Sequence, residues 1–458
     1  MQMMKWSVMA LAIAAATSQM AYAEEQDDAM AAENVSSQAA SNGFFEDADL
    51  QLKNRNFAFY RNIKNNAPDE QNYRNEWAHG FMTTFTSGFT QGIVGFGVDA
   101  FGQYGLKLNS GKGINGTGIT QIDDNGEAAP DFGNAGGAVK ARISETTLAF
   151  GQQRPESPVF ATGDARLLPA YATGTSIASD EITDLHIQGG HFYSGSGQTV
   201  TSQKGELTTS YSGTDFNTAD YIGGDYAFSD DLSFGLHAAQ YSDLWNQYYA
   251  DLYHTWNISD DMSLSTSLNY YKTKDEGDAL SGDIDTDAYS AQLSLGVGAH
   301  TFSVAHQRVD GDTPFDYLAT GDSLGNSIWL ANSVQYSDFN SPGEKSYQAR
   351  YDLDMSTLGV PGLSFMVRYI TGSDADGTKA DCSANGAFCG AYGKDGDEWE
   401  RNIEVKYVVQ SGAAKDLSFR VRQATWRANK DLGDYNGAAG GTAVDEVRLI
   451  TEYPLDIL

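Results

Sequence analysis

Three short patterns could carry chemistry, and each can be tested against what that chemistry needs. GDSLG (321–325) matches both a G-x-S-x-G nucleophile elbow and a GDSL-type hydrolase block, with Ser323 as the nucleophile. Such an elbow works on a strand-to-helix turn with His and Asp poised beside it. No amphipathic helix pattern follows here, so a hydrolase is the weaker reading and the chain is expected not to be an enzyme. GKGINGTG (111–118) has the glycines of a phosphate loop but neither the Gly-Lys-Ser/Thr ending nor a helix, and reads as a flexible outer loop. The histidines (79, 186, 191, 237, 254, 300 and 306) form no H-x-x-x-H or Cys/His cluster, so no metal and no cofactor are expected. What remains is a pattern of cations. In DLSFRVRQATWRA (416–428), Arg420 and Arg422 stand two apart with Phe419 and Val421 on the other phase. In a β-strand that turns both guanidiniums to one face and the apolar groups to the other. Two unit charges about 7 Å apart repel by only about 0.6 kcal/mol in water and roughly twentyfold more in a dry interior. An arginine facing lipid at mid-depth costs roughly 2–4 kcal/mol. The two arginines therefore belong on a wet wall whose other side is apolar.

The rest of the chain must supply that wall. It has 458 residues, with 49 Gly, 9 Pro, 25 Tyr, 22 Phe and 7 Trp, a balance that suits a large all-β protein. A formal charge of −32 argues against nucleic acid as a partner, so any basic site must be local. Residues 1–23 read as a signal peptide: Lys5, an apolar run from Trp6 to Ala16, and Ala21-Tyr22-Ala23 as the cleavage signal. Lys5 is the one charged residue in it, so its removal takes the charge to −33. Residues 24–43 are acidic and Ala/Ser-rich, a mobile periplasmic lead-in, and 44–458 form one domain. The only cysteines, Cys382 and Cys389, lie close together in a polar stretch. In an oxidising periplasm a small loop disulfide is favoured over two free thiols.

No later apolar run reaches the length of a transmembrane helix. Instead, alternating segments of about 8–13 residues are joined in turn by short and long connections, as a transmembrane barrel requires. The short ones are SGFTQG (87–92), ISET (143–146), FSDDL (228–232), ISDDM (258–262), GVGAH (296–300), STLGVPG (356–362) and SGAAKD (411–416). The long ones include 111–136, 152–170, 194–217, 310–343 and 372–397. About eighteen strands result, giving an all-β, antiparallel transmembrane β-barrel with inward-folded loops. In one segment Val94, Phe96, Val98, Ala100, Tyr104 and Leu106 oppose Asp99, Gln103 and Lys107; in another Tyr347, Ala349, Tyr351 and Leu353 oppose Gln348, Arg350 and Asp352. VDEVRLITEYPLDIL alternates to the terminus, with an irregularity expected at Pro454.

The same phase turns Arg350, Arg368, Lys406, Arg420, Arg422, Arg448 and, on the first strand, Lys53 and Arg55 inward. Their strands are consecutive, and closure sets the first strand beside the last. One wall becomes a strip of cations. The plainer alternative is that these charges only solvate the lumen and pair with Glu404, Glu452 and Asp352.

Long motifs in order resemble the OprD family of substrate-specific outer-membrane porins: GFFEDADLQLKNRNFAFYRN, GFTQGIVGFGVDAFGQYGLKL, GGAVKARISETTLAFG, PVFATGDARLLP, GDTPFDY, LANSVQYSDFNSPGEKSYQARYDLD, GVPGLSFMVRYITG, KYVVQSGAAKDLSFRVRQ and EYPLDIL. The resemblance runs from about Gly43 to Leu458. It implies a monomeric eighteen-stranded barrel in the outer membrane of a Gram-negative bacterium, inserted by the barrel assembly machinery among lipid and lipopolysaccharide. Such a barrel admits small carboxylate-bearing nutrients by diffusion along basic side chains. It also implies that 152–170 is the constricting loop, with Arg166 at the narrow part of the pore. Val159, Phe160, Leu167 and Leu168 would be odd on an exposed loop, which agrees with folding inward. In VDGDTPFDYL, Asp312, Asp316 and Tyr317, with Asp310, are candidates for recognising an amino or guanidinium group, or are turn residues around Pro314. Within the family some members favour basic amino acids or peptides and others cyclic or aromatic carboxylates; the similarity leans to the former. An outer-membrane hydrolase barrel and an adhesin-like structural barrel are the readings from other classes.

Overall fold

A computed structural model describes residues 36–65, 71–109, 114–321, 323–432 and 442–458; the expected signal peptide lies outside these. Eighteen strands make one antiparallel sheet. They are β1 (Asp49–Lys64), β2 (Tyr73–Thr86), β3 (Gly95–Lys107), β4 (Asp131–Ile143), β5 (Thr146–Gln153) and β6 (Tyr171–Ile182). Next come β7 (Leu185–Ser196), β8 (Ala219–Ser229), β9 (Leu232–Tyr241), β10 (Trp245–Ser259), β11 (Met262–Asp275) and β12 (Asp285–Val297). The last six are β13 (His300–Asp310), β14 (Lys345–Asp354), β15 (Leu363–Asp376), β16 (Lys394–Val408), β17 (Ser418–Ala428) and β18 (Ala443–Asp456). Each pairs with its sequence neighbour, and β1 pairs with β18 from Gln51↔Asp456 to Lys64↔Ala443, which closes the barrel. No described helix is long and apolar enough to cross a membrane; the strands do the crossing.

Period-two alternation decides which way each side chain points. On β3, Phe96 and Tyr104 are exposed on the outer face while Gln103 is buried inside. On β14 and β15, Tyr347, Val367 and Tyr369 are exposed while Gln348 and Arg368 are buried. An exposed apolar belt of this kind is stable only against lipid.

Several strands run further than the alternation alone suggests. β4 begins at Asp131, β15 reaches Asp376 and β16 starts at Lys394, all within stretches expected to be loop. Paired wall continues there because ladder hydrogen bonds need no lipid. The strict alternation of short and long connections also breaks once: β9 and β10 are joined at the loop end by residues 242–244 alone. At the turn end, residues 183–184 form a two-residue connection that was not singled out. Pro454 causes no irregularity. β18 runs through it in continuous register with β1, Lys53 lying opposite. β17 has already stopped pairing at Ser418↔Glu452, so the missing N–H costs no bond on that side.

Part of the expected lead-in is held in place. Gln38 is buried and its amide donates to the carbonyls of Thr90 and Gly92, while the Ser41 hydroxyl donates to that of Phe89. Residues 36–43 are thus fastened to the β2–β3 turn.

The lumen is divided in two. Against the β7–β12 side, Tyr241, Trp245, Tyr249 and Tyr271 pack with Val159 and Phe160 of loop 154–170 and with Phe315 and Leu318 of loop 311–344. Within this plug, Leu207–Thr209 pairs with Leu318–Thr320, which pairs with Ser323–Leu324. A second cluster joins Phe57, Phe59, Phe132, Ile119, Leu167 and Leu168. A third cluster joins Ile63, Ala375, Trp426, Leu432 and Val444 on the β15–β18 and β1 wall, and the charged groups of β14–β18 and β1 share that wall with it. Cys382 and Cys389 are bonded in the loop between β15 and β16.

Candidate functional site

The wall of cations is built from cross-strand neighbours. Lys406 lies opposite Arg420, Arg422 opposite Arg448, and Arg350 opposite Arg368. Like charges directly opposite destabilise a sheet, so this register needs water or carboxylates between them. The structure supplies carboxylates. Glu404 Oε2 accepts from Arg420 Nη2 at 2.8 Å and lies 3.1 Å from Arg422 Nε. One carboxylate shared by two guanidiniums leaves net positive charge and spare N–H donors. Lys406 is exposed and has no ion-pair partner among the described residues. Lys53 lies 3.2 Å from Glu452, and Arg350 makes a two-point contact with Asp352. The pairings named as the plainer alternative, with Glu404, Glu452 and Asp352, all form. They leave Arg420, Arg422, Lys406 and Lys53 on the lumen surface.

Three of the expected strip residues have another occupation. Arg55 is 6% exposed; it donates to Glu452 (2.7 Å), to Asp164 (2.8 Å) and to the Arg166 carbonyl (2.6 Å), bolting loop 154–170 to β1. Arg448 is 3% exposed, donates to Glu446 (2.6 Å) and to the Gln335 carbonyl (2.9 Å), and so holds loop 311–344. Arg368 is buried and donates to Asn402 (2.6 Å). All point inward as phase requires, but loops bind Arg55 and Arg448, and Arg368 is tied to the neighbouring strand.

Loop 154–170 folds into the lumen, with Val159, Phe160, Leu167 and Leu168 fully buried. Asp164 fixes it: burial pushes this carboxyl up, but Arg55 and Arg154 outweigh that and hold it at about 2. Arg166 donates from Nε to the Thr117 carbonyl (2.9 Å), and its guanidinium lies 5.7 Å from the Phe59 ring centroid. Burial, with Arg448 and Arg61 close by, lowers the Arg166 guanidinium to about 9, so it stays charged at neutral pH. Arg61 was missed. It lies between the Phe59 and Tyr336 rings and bonds Glu446 at 2.8 Å. It stands on the inward phase of β1 with Lys53 and Arg55, which is the signal that could have found it.

Arg61 and Arg166 line a cavity of about 170 Å³ with Thr117, Gly118, Gln198 and Ser323. Residues 114–120 therefore fold inward, and the expectation of a flexible outer loop at 111–118 is corrected over its described part. Glu76 of β2 draws them in by accepting from the Thr117 N–H and from the hydroxyls of Thr117 and Thr120.

Of the acidic candidates, Asp316 is corrected, and Tyr317 with it. Asp316 is buried, and its carboxylate accepts from the N–H groups of Tyr211, Ser212 and Tyr317, each at 2.8 Å. It joins two loops and does not face solute. Tyr317 is buried and donates to Asp338 at 2.8 Å, as does Tyr211. Asp312 is exposed at the loop end, 3.9 Å from Lys379. Phe315, buried beside Asp316, explains the difference: it pulls the segment into the aromatic plug. Ser323 Oγ donates to the Thr320 carbonyl and accepts from the Gln198 N–H, with no histidine partner among the described residues.

Comparison with known proteins agrees with this geometry. The model for "outer membrane porin, OprD family" matches residues 42–457. Porin D of Pseudomonas aeruginosa is 48% identical over 462 residues, with all of both chains covered. The crystal structure of P. aeruginosa OprD matches with a TM-score of 0.79 and 47% identity over 93% of this chain and 99% of that one. That of P. aeruginosa OpdK with vanillate matches with a TM-score of 0.79 and 33% identity over 90% and 100%. These relatives are porins, which sets the hydrolase reading aside and places the barrel in the outer membrane. The chain belongs to the OprD family and is a substrate-specific outer-membrane porin.

Proposed function

We propose that this porin passes small carboxylate-bearing nutrients along the strip of Arg420, Arg422, Lys406 and Lys53, after they cross the narrow site at Arg61 and Arg166. The observation that carries this is the shared carboxylate: among the described residues Arg420 and Arg422 have only Glu404 between them, with side chains 30% and 19% exposed. Each wet, charge-assisted contact contributes about 1–2 kcal/mol, enough to hold a solute on the path without trapping it. Basic amino acids and small peptides suit the path best. Glu404 and Glu452 interleave with the cations, so an ammonium or guanidinium group meets a partner while the carboxylate moves between arginines. Asp312 and Asp316 play no part in this.

A channel for cyclic or aromatic carboxylates is the second reading, supported by the relative solved with vanillate, an aromatic carboxylate. Liposome swelling with arginine, lysine, benzoate and a neutral sugar of similar size separates the two. Arginine and lysine are expected to enter fastest and the sugar slowest. Benzoate ahead of arginine selects the second reading, and sugar entering as fast as the carboxylates sinks both.

A further inference from the structure

The narrow cavity is bounded on one side by backbone alone. Residues 116–118 carry no side chain larger than threonine, and both glycines are left-handed, with φ of 98° at Gly116 and 80° at Gly118. Every contact around this arm fixes it. Glu76 takes the Thr117 N–H and two hydroxyls, Arg74 donates to the Gly116 carbonyl at 2.7 Å, and Ile119 is fully buried against Phe132 and Leu167. The arm in turn fixes Arg166 through the Thr117 carbonyl. A Cβ built on Gly118 would stand 3.1 Å from Arg166 Nε. Arg166 has to give by a few tenths of an ångström, and its guanidinium facing Phe59 and its Nε bonded to the Thr117 carbonyl resist the shift.

We propose that Gly118 is a size-determining residue of this pore, and that Glu76 is the positioning residue that holds the arm bearing it. The missing side chain at 118 leaves the clearance between the arm and Arg166, and any added carbon pushes that guanidinium into the opening. The carboxylate Glu76 sets how far the arm reaches into the lumen. This concerns the width of the passage, so it does not depend on which charged solute travels.

The test uses neutral solutes only, which keeps it separate from the charge preference. Folded barrels, identified by their heat-modifiable gel mobility, are placed in liposomes and the glucose-to-glycerol flux ratio is measured. Gly118→Ala should lower that ratio about tenfold, the low end of what one added carbon is worth in a fitted site. Gly118→Asn, with a residue that tolerates this backbone better, should lower it further. Gly126→Ala is the control: it lies in the same loop at φ 75°, and a Cβ there meets nothing within 4 Å. It shares the backbone strain and should leave the ratio unchanged. Glu76→Ala frees the arm and should raise the ratio. Equal ratios for the Gly118→Ala and Gly126→Ala barrels overturn the assignment of Gly118. Should neither glycine variant assemble, Glu76→Ala decides, and an unchanged ratio there overturns the proposal.

Discussion

Replacing Arg420 and Arg422 together by Gln tests the strip where its charge is easiest to work out. In the native wall two guanidiniums share Glu404, so the trio carries one net positive charge. The double variant keeps the inward phase and most of the side-chain length but leaves Glu404 alone, turning the same spot to one net negative charge. A carboxylate passing about 6 Å away in wet surroundings feels about 0.7 kcal/mol per unit charge. The swing of two units is therefore about 1.4 kcal/mol, a factor of about ten in occupancy and flux. Adding Glu404→Gln brings the site to neutrality, so the triple variant should recover to a loss of about threefold. This ordering, in which removing a further charged residue restores transport, is not expected from a misfolded pore. Proteoliposomes loaded to report uptake of benzoate, a net anion, and of a neutral sugar at once give the ratio directly. In 1 M salt, where the screening length is about 3 Å, the three barrels should converge. A carboxylate-to-sugar ratio that is the same in the native, double and triple barrels refutes guidance by these arginines.

Three further outcomes are expected. Asp316→Asn should weaken the junction between the two inner loops by about 2 kcal/mol, since three N–H groups lose a charged acceptor; arginine and monocarboxylate fluxes should then change in parallel, and a selective loss for arginine would return Asp316 to the solute path. Asp164 has a folded-state value near 2, below that of a free carboxyl, so its stabilisation is present above about pH 4 and is lost as the pH falls towards 2. Single-channel current noise should grow through that window, and Asp164→Asn should show it already at neutral pH; quiet currents in that variant would mean that Asp164 does not restrain the loop. An epitope between residues 384 and 385 should be labelled on intact cells and one between 229 and 230 only after the outer membrane is permeabilised, the reverse pattern inverting the orientation.

The barrel was legible because its physics is local. One residue out of phase puts an arginine into lipid, so Arg350, Arg368 and Arg422 could be turned inward from spacing alone. Inserted loops were legible only where they carry apolar groups: Leu167 and Leu168 betrayed loop 154–170. The arm at 116–118 hid behind glycines, although Ile119 just after it was the same kind of clue. Long-range pairing was out of reach. Nothing near Asp316 in sequence says that Tyr211 and Ser212 will offer it their N–H groups, and nothing near Arg55 names Asp164. A charged residue in a loop looks the same whether it meets a solute or another loop, and only the fold distinguishes them.

The closing seam has a consequence for biogenesis. Lys53, Arg55 and Arg61 of the first strand reach across to Glu452 and Glu446 of the last. Lys53 and the narrow site at Arg61 are therefore completed only when the two ends of the polypeptide meet, whereas Arg420, Arg422 and Lys406 already face one another on β16 and β17. A half-made barrel thus holds most of the strip but lacks the ion pairs that fasten the first strand to the last. Variants that remove Glu446 or Glu452 should then mature slowly as well as conduct poorly, and competence to transport becomes a marker of completed insertion.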